Sequence, residues 1–185
     1  MEWIILGVVI VILLAVILIY NRLVALRANC RQGWADIDAG LRQRHDLIPN
    51  LVSTVQGYAT HEKGTLEAVI TARNSALAAR GPGEAQGAEM ALGGALKNLF
   101  ALAEAYPDLK ANANFQTLQH ELSDVEDKLA AARRAYNAAS ADYNTGIESF
   151  PAVLFAGALG FKPQGFWELG GDERATIGAA PKVSF

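Results

Sequence analysis

The chain is poor in several things, and each shortage narrows what it can be. It has one cysteine, Cys30, so no disulfide can form within it. That fits a reducing compartment without proving one. No charged residue lies between Trp3 and Tyr20, and nothing basic precedes that stretch, since only Met1 and Glu2 do. No segment alternates apolar and polar residues as a half-buried strand would. The formal net charge is -3, and no basic patch interleaved with aromatics is visible, which argues against nucleic acid as the main partner.

What is present begins with the uncharged stretch itself. Trp3 to Tyr20 is dominated by Ile, Val and Leu. At 1.5 Å per residue it makes a helix of about 27 Å, just enough to cross a hydrocarbon core of roughly 30 Å. Trp3 and Tyr20 stand at its ends, where amphipathic rings favour the headgroup level. Leu6 and Leu13 are typical of its lipid-facing interior. A cleaved signal peptide is the competing reading. It would want a basic start, a shorter apolar run and a small-residue cleavage site, none of which is found. Residues 1–20 are therefore expected to be an uncleaved anchor. Arg22, Arg27 and Arg31 follow directly, which by the positive-inside rule places the body in the cytoplasm.

Behind the anchor the periodicity is helical. A spacing of three and four runs from Tyr20 through Leu23, Cys30, Trp34, Ile37, Leu41, Ile48 and Val55, with no break between span and body. Arg27 and the pair Arg44–His45 fall where this seam would want apolar residues. Pro49 lies inside the predicted helix and removes the N–H that would bond the His45 carbonyl, so a kink is expected there. Either Arg42 or Arg44 is expected to bond that carbonyl or to pair with an acid on a neighbouring helix. Arg44, Asp46, Pro49 and Asn50 are the residues singled out at this point. They form either a purely structural arrangement or, less favoured, a polar site for a ligand.

A second stripe, Tyr58, Leu66, Val69, Arg73 and Leu77, either continues the first helix or bends away near Gly57 and Gly64. Arg80-Gly-Pro-Gly83 breaks the pattern, and helix is expected to resume after Gly87, with a shorter helix from Met90 to Ala105. Gly93-Gly94 within it would permit close packing. The last helix shows the sharpest pattern: Phe115, Leu118, Leu122, Val125, Leu129, Ala132, Tyr136, Ala139 and Tyr143 keep strict heptad spacing. Asn112 or Asn114 is placed to cap its start, and Phe150-Pro151 to end it. The expected fold is all-α: a transmembrane helix continuous with a long, rod-like, antiparallel up-and-down bundle over residues 21–150.

Residues 151–169 open with an uncharged apolar run, Pro151 to Phe161, whose eleven residues are too few to span a bilayer as a helix. They are expected to pack back on the bundle or to form a subunit or membrane interface through Phe150, Leu154, Phe155, Phe161, Phe166 and Trp167. Residues 170–185 are expected to be a loosely ordered tail.

Several of these segments resemble a known family when taken together. Tyr20-Asn-Arg-Leu-Val-Ala-Leu-Arg27 leads into Trp34-Ala-Asp-Ile37, then Arg44-His-Asp-Leu-Ile-Pro-Asn-Leu-Val52, Gly57-Tyr58-Ala59 and His61-Glu62. Tyr143-Asn144, Phe150-Pro151 and Gly160-Phe-Lys-Pro163 follow near the other end. The set resembles the LemA family of bacterial membrane proteins, from Tyr20 to about Trp167. The resemblance implies an N-terminal anchor, an antiparallel helical bundle, no established enzymatic activity, and a place in the bacterial inner membrane. It also implies possible partners among membrane proteins such as metallopeptidases.

The remaining candidates for chemistry are weak. His61-Glu62 begins H-E-x-x-H, but Thr65 stands where the second histidine belongs, so no zinc site is expected. Asp36 and Asp38 point to different faces. Cys30 falls on the apolar seam and should be buried and inert. No nucleophile has a recognisable base, and the glycines form no phosphate loop. No cofactor and no metal are expected. The expectation is a non-catalytic, self-associating scaffold, with an adaptor or regulator of a membrane protein such as a protease as the alternative.

Overall fold

The structure, a computed structural model, describes residues 1–168. Five α-helices follow in order: α1 (Glu2–Gln56), α2 (Lys63–Ala78), α3 (Gly81–Ala103), the single turn α4 (Pro107–Lys110) and α5 (Ala113–Glu148), with a 3-10 turn at Ala152–Leu154. No strand occurs among the described residues. The all-α expectation holds. α1 is one helix through the apolar stretch and beyond it, with Pro49 inside.

The described residues divide into two compact units, the first built from residues 1–41 and 127–166 and the second from 42–126 with 167 and 168. In the first unit the heptads of α1 and α5 interlock antiparallel. A Cβ on Gly33 would lie 3.0 Å from the Tyr136 Cα, and one on Gly40 would lie 2.7 Å from Leu129 Cδ2. One on Gly146 would meet Leu26 Cδ1 at 2.8 Å. Moving up α1 by seven residues, from Gly33 to Gly40, moves down α5 by seven, from Tyr136 to Leu129, and each glycine sits against a bulky residue of the other helix, so that the helix axes approach. Cys30 continues the register, its Sγ donating to the Ala139 carbonyl at 3.2 Å. Leu23, Cys30, Tyr143, Ile147, Ala152, Ala156 and Phe161 form the core here.

In the second unit, Ile48, Leu51 and Val55 of α1 pack with Leu66 and Val69 of α2, Leu92, Leu96 and Leu99 of α3, and Phe115 and Leu122 of α5. α1 stops at Gln56, and Gly57–Glu62 separates it from α2. α3 starts at Gly81, six residues before Gly87, after which the periodicity places it. The reason is local. Pro82 falls in the first turn, where its missing N–H leaves no helical bond unmade. The Glu84 carboxylate accepts the Arg80 backbone N–H at 2.9 Å. The start of α5 follows expectation, with Asn112 Oδ1 accepting the Phe115 N–H at 3.0 Å.

Candidate functional site

The polar residues that interrupt the α1 seam converge in the second unit on a glutamate. Arg44 and His45 are buried, at 6% and 3% exposure, and so is Glu89 of α3 at 4%. Arg44 Nη1 lies 3.0 Å from Glu89 Oε2, and its Nη2 lies 2.8 Å from Glu126 Oε1 on α5. His45 Nε2 sits 2.6 Å from Glu89 Oε1. One guanidinium thus bridges carboxylates from two helices while a neighbouring imidazole shares one of them. Charges this deep are expensive unless paired, and the pairing here joins α1, α3 and α5. His45 Nδ1 and Arg44 Nε have no hydrogen-bond partner among the described residues.

Pro49 creates the neighbouring feature. The His45 carbonyl that it leaves unbonded accepts from Arg73 Nε of α2 at 2.8 Å. Of the two roles expected of Arg44, it takes the pairing with acids of neighbouring helices, while the carbonyl goes to Arg73, a donor that the sequence did not single out. Asp46, Pro49 and Asn50 are exposed. The four residues singled out around Pro49 are not brought together, since Arg44 is buried and the other three lie on the surface. A shallow groove of about 310 Å³ runs beside Pro49, lined by Val52, Ser53, Gln56, Ile70 and Arg73. Gly93 lies near the cluster, where an added Cβ would be 3.8 Å from Arg44 Nη2, whereas Gly94 faces open space.

Glu89 was the residue missed. It carries a signal: Ala85, Glu89, Leu92, Leu96, Leu99 and Ala103 form the buried stripe of α3. A glutamate on such a stripe needs a buried cation. A helix taken to begin at Met90 leaves it out.

In the first unit the family-like motifs near residues 143–163 form a clip. Asn144 donates to the Gln164 carbonyl at 2.9 Å and accepts the Gln164 N–H at 2.8 Å. The Tyr136 hydroxyl donates to the Gly165 carbonyl at 3.0 Å. Phe161 stacks edge-on against Tyr20 at 5.5 Å, and the Arg27 guanidinium lies 4.8 Å from the centre of its ring. That accounts for Arg27 on an otherwise apolar seam. Phe161 and Trp167, at 3% and 5% exposure, are spent within the fold and are not available to a partner. Phe155 is half-buried, while Phe150, Leu154 and Phe166 face outward. Residues 170–185, expected as a tail, lie outside the described residues.

Trp3, Leu6, Leu13 and Tyr20, the residues expected to form the anchor, are all exposed, and none of residues 1–22 is buried. α1 is long and apolar enough to cross a membrane. Burial pushes the Cys30 thiol and the Tyr136 and Tyr143 hydroxyls above their ordinary ranges. Tyr106 is also raised, by desolvation first and then by its hydrogen bond to Glu62, 3.2 Å away. Among the described residues no three His, Cys, Asp or Glu side chains group as a metal site would.

A family model described as the LemA family matches residues 33–185. The magnetosome protein MamQ of Magnetospirillum gryphiswaldense is 25% identical over 169 residues, covering 77% of this chain and 62% of its own length. Magnetosome proteins MamQ 1 and MamQ 2 of Paramagnetospirillum magneticum are each 36% identical over 76 residues, 41% of this chain and 28% of theirs. The chain thus spans less than two thirds of the length of these relatives.

Proposed function

The chain belongs to the LemA family, and from that premise we propose that it is a non-catalytic, single-span protein of the bacterial inner membrane that assembles side by side with copies of itself. The observation that carries the reading is α1. Its apolar first third has no buried residue, yet it continues without interruption into a helix whose next turns are core. Such an anchor holds the packed α1–α5 pair directly at the bilayer, with no linker between.

The support for self-association lies on the body surface. The heptad seam of α5 is consumed by α1, so it offers nothing to a second copy. Ile70 and Leu77, seven residues apart on α2, and Met90 on α3 remain exposed. Weak contacts of this kind gain avidity when every copy is confined to one membrane. The relatives are named as magnetosome proteins, which agrees with membrane association. The Arg22, Arg27 and Arg31 cluster after the span supports a cytoplasmic body.

Mass measurement of the full chain in lipid nanodiscs tests the assembly. Multiples of the protomer mass are expected, reduced by Ile70→Glu with Leu77→Glu. A single protomer mass across all concentrations would end the idea. The adaptor reading would use the same exposed residues, and a stoichiometric crosslinked membrane partner in place of protomer multiples would favour it.

A further inference from the structure

The end of α5 and the turn after it lie beside the last turn of the apolar stretch of α1. The antiparallel register brings Gly146 against Leu23 and Leu26. Ile19, in the last turn of the apolar span, packs against the cluster of Ala152, Ala156 and Phe161. A cavity of about 410 Å³ is lined by Ile19 and Arg22 on one side and by Ser149, Phe150 and Ala152 on the other. The chain then turns back down α5, since Phe161 meets Tyr20 and Gln164 is clipped to Asn144. Residues 150–160 are thus the turn at the membrane-side end of the first unit. Leu23 is about 4.5 Å beyond Tyr20 along the helix, within the headgroup layer, which adds roughly 5–7 Å on each side of the hydrocarbon core.

That turn is apolar on its outer side. Phe150 is 81% exposed and Leu154 74%, with Val153 and Leu159 also exposed. No charged residue occurs between Ser149 and Phe161. Its small residues, Ala152 and Ala156, face the core. Burial inward of alanine and display outward of phenylalanine and leucine inverts what water alone would favour.

We propose that this turn is a second membrane contact, with Phe150, Val153 and Leu154 entering the headgroup–acyl boundary of the bilayer that α1 spans. The occupant is lipid because the patch adjoins the span: Ile19, in the last turn of the span, lines one cavity with Phe150. Three outward apolar side chains at that depth are in the environment that interfacial segments use. The nearby ionic groups are mixed, Arg22 and Lys162 against Asp142 and Glu148, so the contact is apolar and not selective for anionic lipid. It holds the first unit at two points and so restrains rotation about the α1 axis. The inference rests on α1 being a true membrane span.

The test uses the full chain with Cys30→Ser and an environment-sensitive fluorophore on a single introduced cysteine at Leu154, Leu13 or Gly83, in nanodiscs carrying lipids spin-labelled either high or deep on the acyl chain. The Leu154 probe should be blue-shifted and quenched more by the high label than by the deep one. The Leu13 probe should be quenched by the deep label, and the Gly83 probe by neither. A Val153 probe repeats the reading should the Leu154 variant misfold. An unquenched Leu154 probe beside a quenched Leu13 probe overturns the proposal and leaves the anchor standing. If Leu13 is also unquenched, the anchor fails and the proposal with it. A blue shift at Leu154 without lipid quenching, lost at one protein per disc, would assign the patch to a second copy and overturn it as well.

Discussion

Glu89 shows what a single side chain decides. It is buried and holds both Arg44 and His45. Glu89→Ala strands a buried guanidinium with only the half-exposed Glu126 to balance it. A loss of about 3 kcal/mol is expected, a fall of about 6–12 °C in the thermal midpoint followed by circular dichroism. Adding Arg44→Met should return part of that loss, because an uncompensated charge costs more than an absent pair. Arg73 offers a second residue-scale test. Arg73→Ala should cost about 1.5–3 kcal/mol, as for a hydrogen bond from a charged donor. In a Pro49→Ala background the loss should shrink, since the restored N–H competes for the His45 carbonyl. Equal losses in both backgrounds would show that Arg73 does not act through that carbonyl.

The same scale sets the pH response. Burial raises Cys30, Tyr136 and Tyr143, so the folded chain keeps protons that the unfolded chain gives up at lower pH. Their contribution is complete below the unfolded pKa values and is lost as pH rises through the folded ones. The contribution of these groups to the thermal midpoint should be flat from about pH 6 to 8 and decline above about pH 9, where free thiols and then phenols ionise. Native Cys30 should also react slowly with a thiol reagent at neutral pH, and quickly after denaturation.

Elements meet in the first unit through glycine against bulk, and the two closest approaches differ in kind. The Cβ of Gly33→Ala would press on Tyr136 backbone, which cannot yield without moving α5. The Cβ of Gly40→Ala would press on the end of Leu129, which can rotate away, although the starting distance is shorter. Overpacking costs typically about 1–3 kcal/mol, and Gly→Ala in a helix returns about 1 kcal/mol. Gly33→Ala should therefore be destabilising by about 1–2 kcal/mol and Gly40→Ala close to neutral, as read from paired denaturant titrations. The reverse order would mean that α1 and α5 do not share this register. Heptad spacing on α5 was plain in the sequence, but nothing in it said whether the partner was α1 or a second copy. Gly33 and Gly40, seven apart, were the clue.

For the whole molecule, the proposed orientation is the open quantity. A cysteine placed at exposed Gly83 should resist a membrane-impermeant maleimide in intact cells and react after permeabilisation. Labelling from outside would put the body on the opposite face. Native Cys30 adds little background, because it is buried with its thiol raised.

Composition and periodicity were enough for the long apolar stretch, the all-α class, the unbroken passage of one helix beyond that stretch and the buried place of Cys30. Each follows from hydrophobicity summed along a regular period, which is a local property of the chain. They were not enough for the partner of the Pro49-freed carbonyl, for Glu89 beneath Arg44 and His45, or for the division of the large C-terminal apolar residues into buried Phe161 and outward Phe150 and Leu154. Those depend on which helix faces which, and a residue 28 or 45 positions away leaves no mark on local spacing. The tertiary structure also decided that the α5 seam is filled from within, so that any partner of this protein must be met on other surfaces.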